Sequence, residues 1–377
     1  MIHRILLASA ALFAGSAAQA ASCDASNTYS FAFASQAAAT LAYGSTYNYT
    51  ATSGGGATRA FTMQVAQNGL SNTQVSNIQM PNIGTSHTGA DATQRDLVIG
   101  GVFGSRTTDI NSATRLITVT YTFTAPIRDF AITVHDIDFT TNQFRDWVSV
   151  TGTNGASTYT ATLALGPSAT SATLGPSSTP VTIGAGQVVG SGASGNNSED
   201  GTIIASFAQP VTRVVLKYGN YPLQTGEAST GQQAMGIAGI SFCPMPAVTM
   251  TKTSAPDIGT FGAFNLPSND VIYNLTVTNT GGSTVDAGTI ILTDVLPAGT
   301  TYKNAAFDGT TALPVKLIGP GVTLSSGNVT YRQSGGSTYT YSPASGYDTK
   351  VAEIRVAPTG QMPANSSFSI QFRARIN

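Results

Sequence analysis

The chain has 377 residues, of which only 9% are charged, with 17 Lys and Arg against 18 Asp and Glu for a formal charge of −1. Near-neutrality leaves no basic face for phosphate backbones or anionic membranes, which excludes nucleic acid as a partner. The 40 glycines, set among abundant Ser, Thr, Ala and Val, favour short β-strands joined by small-residue turns over helices.

Residues 1–20 read as a secretory signal peptide. Arg4 supplies the positive start, residues 5–15 an apolar stretch, and Ala18-Gln19-Ala20 the small-residue cleavage pattern. That stretch is shorter than the roughly 20 apolar residues needed to cross a bilayer, and no transmembrane segment is expected elsewhere. The expected product is secreted, extracellular or at the cell surface, with the periplasm as a further compartment. No hydrophobic tail or sorting signal is visible after the last expected strand, so any attachment would be through a partner. On a prior of about 150 residues per domain, the length suits two domains. We place them at 21–243 and 248–377, with a Pro-containing linker at 244–247.

The two cysteines, Cys23 and Cys243, lie at the ends of the first domain. In an exported chain such a pair is expected to form a disulfide, which stabilises by up to about 5 kcal/mol for so long a loop; two buried thiols are the alternative. Neither His87 nor His135 has zinc-ligand spacing to a cysteine.

In chain order, Tyr29, Tyr43, Tyr47 and Tyr49 mark the first strands, and residues 35–41 give the one hint of a helix, with an irregular stretch as the equal alternative. Residues 116–124 alternate almost perfectly, with Ile117, Val119, Tyr121 and Phe123 on one face and threonines on the other, as in a half-buried strand. Ala125-Pro126 then leads into Phe130, Ile132 and Val134, again at period two. Further alternating runs fall at 147–150, 203–207, 214–218 and 237–242, while 166–202, rich in Gly, Ser, Thr and Pro, reads for the most part as a long surface loop, interrupted by a candidate short strand around Val181. A second series begins after Pro244 and Pro246: Val248 and Met250, then Val271, Tyr273, Leu275 and Val277, then Ile290 and Leu292. It resumes at Ala352, Ile354 and Val356 and ends at Phe368, Ile370 and Phe372. The expected fold class is all-β, with two antiparallel β-sandwich domains, the first jelly-roll-like.

The stretch VIYNLTVTN at 271–279, then Thr280-Gly281-Gly282, and LTDVLPAGT at 292–300 carry a resemblance. With Thr251-Lys252-Thr253 before them and Pro363-Ala364-Asn365 after, residues 247–377 resemble the bacterial surface-protein conserved-repeat domain, domain of unknown function eleven. The resemblance implies an immunoglobulin-like sandwich, usually found in tandem as a spacer or adhesive module on bacterial surfaces. Only one copy is present here, which departs from the usual run of repeats. Independently of the resemblance, Asp294 before Leu-Pro-Ala-Gly suits a strand end entering a turn.

The strongest candidate site is acidic. Asp136 and Asp138 continue the inward parity of Phe130, Ile132 and Val134, and Asp146 shares the inward parity of Val148 and Val150. A hairpin through 139–145 would gather all three carboxylates, which need partners on a core face. Calcium, a hard cation taking about six to eight oxygens, is the natural ion for such a set and would be structural, with carbonyls of Phe139 or Thr140 assisting. The alternatives are salt bridges to Arg128 or Arg145, or turn-capping hydrogen bonds. The DID block after Tyr-Thr-Phe-Thr-Ala-Pro also loosely resembles secreted jelly-roll modules with a structural ion. Glu199 and Asp200 are a second acidic pair that a loop could bring to the same site, and otherwise read as solvated loop charges.

Residues 190–195 match G-x-G-x-x-G, yet Asn196-Asn197-Ser198-Glu199-Asp200-Gly201 directly after them favours a turn over the helix a dinucleotide site requires. No serine lies in a nucleophile elbow, and His135, opposite Val134 in parity, reads as an exposed or edge histidine, so no catalytic residues are expected. Trp147, opposite Val148 and Val150, is the candidate ligand-binding aromatic, able to stack on a sugar if exposed with the early tyrosines. The function expected is an adhesion-type structural or interaction protein without catalytic activity. The alternative is a calcium-dependent carbohydrate-binding, lectin-like protein. Surface glycans or cell-surface proteins are the expected partners, and edge strands leave self-assembly open.

Overall fold

The computed structural model describes residues 25–103, 115–222, 224, 231–258 and 264–377. The expected signal peptide and Cys23 lie outside the described residues. The described chain is all-β, its strands paired antiparallel and its only helical pieces three-residue 3-10 turns. Among the described residues, no helix is long and apolar enough to cross a membrane. The described residues fall into two compact units that divide between Met245 and Pro246.

The first unit is built on ten principal strands: β1 (Tyr29–Ala32), β2 (Thr46–Ser53), β3 (Thr58–Asn68), β4 (Asp96–Val102), β5 (Leu116–His135), β6 (Phe144–Asn154), β7 (Gln187–Gly190), β8 (Ile203–Ser206), β9 (Val211–Asn220) and β10 (Gln232–Pro244). Strand β5 belongs to both layers. Its first half pairs with β3 and β9, and its second half with β8 and β10. The change of layer comes at Ala125-Pro126, where proline has no N–H for a ladder and both residues are exposed. The strand folds back there, so that the rings of Phe123 and Phe130 meet at 6.1 Å. Pairing then runs β5–β3–β2–β1–β10 and returns to β5, closing the layers along that side. The alternating residues fill the space between the layers, with Ile117, Val119, Tyr121, Ile132 and Val134 all buried.

Two expectations about local structure are corrected. Residues 35–41 are not helical: a 3-10 turn at Phe33–Ser35 precedes the short strand Ala39–Thr40. Pro244 is not linker but the last residue of β10, where a strand end tolerates proline.

In the second unit one sheet runs β11 (Val248–Pro256), β12 (Asp270–Asn279), then β17 (Ser366–Ile376) and β14 (Thr300–Asn304); the other contains β13 (Leu292–Val295), β16 (Val351–Val356) and β15 (Val329–Gln333). Strict alternation buries Val271, Tyr273, Leu275 and Val277 against Phe368, Ile370 and Phe372. In β16 the parity expected from Ala352 slips, because Ala352 is itself the extra residue of a bulge opposite Arg332 and Gln333 of β15, which puts Val351 in the core instead. Two polar contacts join the sheets: Tyr302 and Tyr331 share a 2.9 Å hydrogen bond, and Lys252 Nζ lies 2.6 Å from Asp294 Oδ1.

Candidate functional site

Beyond β5 the chain reverses through Asp136, whose φ of 63° is a left-handed conformation in which Asp is enriched among non-glycine residues. A two-residue strand, Phe139–Thr140, then pairs with Phe144 and Arg145 at the start of β6. This hairpin puts Asp138 beside Asp146: the Asp138 N–H donates to Asp146 Oδ2 at 3.2 Å, and the Asp146 N–H donates to the Asp138 carbonyl at 3.0 Å. Asp136, Asp138 and Asp146 are all buried, at 4%, 6% and 0% exposure.

Both oxygens of Asp146 accept hydrogen bonds. Its Oδ1 accepts from the Tyr218 hydroxyl at 2.7 Å and from Gln233 Nε2 at 2.9 Å, while Oδ2 takes the Asp138 amide. Tyr218 ends the inward row Val214, Leu216, Tyr218 of β9, and a buried phenol at the end of such a row needs an acceptor. Gln233 comes from β10, so strands from both layers converge on one carboxylate.

Residues 190–201 lie over the hairpin. The Ser194 N–H donates to Asp138 Oδ2 at 3.2 Å and the Phe139 N–H to the Gly192 carbonyl at 2.9 Å. Glycines permit this approach, since a Cβ on Gly190 would collide with the Asp138 carbonyl, and one on Gly201 with the Ile137 amide. The Ser171 hydroxyl donates to the Ile137 carbonyl at 2.8 Å, fastening the turn from a third side. Of the G-x-G-x-x-G glycines only Gly190 is required for close packing, and a three-residue 3-10 turn at Glu199–Gly201 stands in place of a helix.

Both described histidines belong to this end of the unit. His87, at φ 56°, brings Nε2 to 3.9 Å from Asp136 Oδ2. His135 Nδ1 is 2.7 Å from Asp96 Oδ2. At 9% exposure, His135 is buried rather than exposed as expected, because β8 and β10 flank its strand and Asp96 of β4 supplies a partner. Glu199 and Asp200 are likewise not simply solvated. They start a 3-10 turn in which Glu199 accepts from the Ala90 N–H at 3.2 Å and from the Thr202 hydroxyl at 2.9 Å.

Burial dominates the electrostatics. Desolvation, with the neighbouring charge of Asp138, pushes Asp136 up to about 7, and desolvation pushes Asp138 up to about 6. It raises Asp146 well above the carboxylate range and lowers His87 to about 4. Between about pH 4 and pH 7, His87 and Asp136 thus face each other largely uncharged. The Oδ1 of Asp136 and the Nδ1 of His87 are shielded from solvent without a hydrogen-bond partner.

Arg128 and Arg145, the expected salt-bridge partners of the acidic set, are occupied elsewhere. Arg128 pairs with Asp129 at 3.1 Å, and Arg145 donates to the Gly190 carbonyl at 2.8 Å with its guanidinium 3.7 Å from the Phe139 ring centre. Among the described residues, no group of three His, Cys, Asp or Glu side chains is arranged to hold a metal ion.

Trp147 requires the largest correction. It is 1% exposed, packed with Leu116, Val181, Ile183 and Val189, and its Nε1 donates to Gln187 at 3.3 Å. The region expected to be a surface loop supplies the cover: β7 pairs with β6, and residues 172–174 pair with β7 in turn. Both faces of β6 are therefore buried, and parity alone could not reveal the second. Tyr29 is also buried, and Tyr43, Tyr47 and Tyr49 pack partly buried against the core. Cys243 is 2% exposed, while its expected partner lies outside the described residues. Neither family models nor curated protein sequences match the chain.

Proposed function

We propose that this protein is an exported structural and interaction protein, secreted or held at a cell surface, in which the acidic set locks one end of the first unit. The observation that carries the reading is the state of the three carboxylates. They lie beneath residues 190–201, and Asp146 accepts from Tyr218, Gln233 and the Asp138 amide. An acid/base pair for catalysis needs a face open to substrate, whereas a buried carboxylate engaged by donors from several strands, as Asp146 is, specifies a fold. A Cys23–Cys243 disulfide would tie the ends of the unit, and the second unit would act as the spacer or adhesive module that its resemblance implies.

A second reading, calcium-dependent carbohydrate binding, is favoured by one observation: Asp136 keeps a buried oxygen with no hydrogen-bond partner. One set of assays separates the readings. Purified protein is unfolded thermally in calcium and in chelator, screened on a glycan array in both, and assayed for turnover of polysaccharides and esters. The structural reading expects identical melting curves, no glycan retained and no turnover. Calcium-dependent glycan retention, lost in Asp136→Asn, would replace it with the second reading, and turnover of any substrate would defeat both.

A further inference from the structure

The opposite end of the first unit, at the bend of β5, holds a shallow cavity of about 90 Å³ lined by Arg59, Ala60, Phe123, Thr124, Ala125, Ile127 and Phe242. Its walls are mainly apolar, and Phe123 and Phe242 are locked edge-to-face at 5.0 Å. Arg59 is out of place there. In β3 the residues Phe61, Met63 and Val65 are buried on the inward face, and Arg59 continues that parity at the strand's open end. Its Nε is shielded from solvent and meets no acceptor, and its guanidinium is 5.6 Å from the Tyr29 ring centre. A buried N–H without an acceptor is unfavourable, and the fork of donors of this half-buried side chain matches a carboxylate that would supply one. The size of the space limits what accompanies that anion. A cavity of about 150 Å³ admits benzene, so this smaller one suits a compact aliphatic group of about three or four carbons.

We propose that the Arg59 cavity binds an organic carboxylate bearing a small branched aliphatic group, either a free short-chain acid or the C-terminus of a chain ending in a residue such as valine. The carboxylate would engage Arg59 while the aliphatic group sits against Phe123, Ile127 and Phe242.

The test is calorimetric titration of the full chain with isovalerate, isovaleramide, a tetrapeptide ending in valine, and the same peptide amidated. Isovalerate or the acid peptide should bind at least about tenfold more tightly than its amide, as expected for losing a charge-assisted contact of about 1.5–3 kcal/mol. The tighter of the two acids identifies the source. Arg59→Gln, which keeps a polar side chain, should abolish the preference for acid over amide, and Ala125→Leu, which fills the cavity while keeping Arg59, should abolish binding. Equal binding of acid and amide, or an acid preference that survives Arg59→Gln, overturns the proposal. So does the absence of binding by any probe, in which case a higher melting temperature for Arg59→Gln would mark Arg59 as a purely structural strain.

Discussion

The hydroxyl of Tyr218 lies 2.7 Å from Oδ1 of Asp146, and neither side chain is reached by solvent. Because Gln233 and the Asp138 amide donate to the same carboxylate, removing it strands three donors at once. Asp146→Ala should therefore destabilise the first unit by about 3 kcal/mol or more, whereas Tyr218→Phe, which removes one donor and keeps the ring, should cost about 1–2 kcal/mol. Urea unfolding followed by tryptophan fluorescence reports both, since Trp147 adjoins Asp146 in β6. Equal losses for the two variants would show that Asp146 is not the centre of the network.

The same carboxylates set the pH dependence. A buried acid whose folded pKa is raised contributes full stability below its unfolded value, near 3.8, and loses it as pH rises through the folded value, about 6 for Asp138 and about 7 for Asp136. His87 acts oppositely, its lowered value costing stability as pH falls from 6.5 towards 4. With Asp146 also raised, three acids oppose one histidine, so the melting temperature of the first unit should fall between pH 5 and pH 8. The double variant Asp136→Asn, Asp138→Asn, which mimics the protonated forms, should flatten that slope. A midpoint that rises over the same range would contradict the assignment.

Residues 190–201 should come loose when glycine is replaced at their start. Gly190→Ala would press a methyl group into the Asp138 carbonyl, so the backbone must move and the Ser194 contact to Asp138 should be lost. Limited proteolysis should then cut within 190–201 at least about tenfold faster than in the parent protein, a change of about 1.4 kcal/mol in local opening. Unchanged cutting would mean that the loop is held by its flanks alone.

Trp147→Ala should behave as a core truncation, costing about 3–5 kcal/mol, and Trp147→Phe considerably less. Thermal unfolding by circular dichroism distinguishes this from a surface aromatic, whose removal would leave the midpoint nearly unchanged.

In the second unit, Lys252→Ala leaves the 4%-exposed Asp294 without its counterion, and a loss of about 3 kcal/mol is expected. Desolvation already raises the Asp294 pKa, so the variant should be hurt more at pH 8 than at pH 5. Replacing the pair together, Lys252→Met with Asp294→Leu, should restore most of the stability. Chemical denaturation of the three proteins completes the double-mutant comparison.

What could be read from the sequence was what alternation encodes. Ile117 to Phe123 and Val271 to Val277 declare their faces, and carrying the parity of Val134 forward placed Asp136 and Asp138 inward. Alternation is silent about a second covering layer. It marked Trp147 as outward, while the cover came from residues around 181–189, whose Gly, Ser, Thr and Pro content mimics an exposed loop. It was equally silent about partners distant in sequence. Asp96 meets His135 and Gln233 meets Asp146 only because β4 and β10 pair in a particular register. Tyr218 did carry a local sign, a phenol closing an inward apolar row, and that sign predicts a polar neighbour without naming it.

The pairing of β1 with β10 sets Tyr29 opposite Phe242, so the first unit is entered and left at neighbouring points. Tension applied between those points would not stretch the layers against each other. It would open the β1–β10 ladder from its end, one rung at a time, with the rungs between β10 and residues 127–132 of β5 sharing the load there. A covalent tie at Cys243 would short-circuit even that ladder and let the unit hang beside the line of force like a charm on a chain.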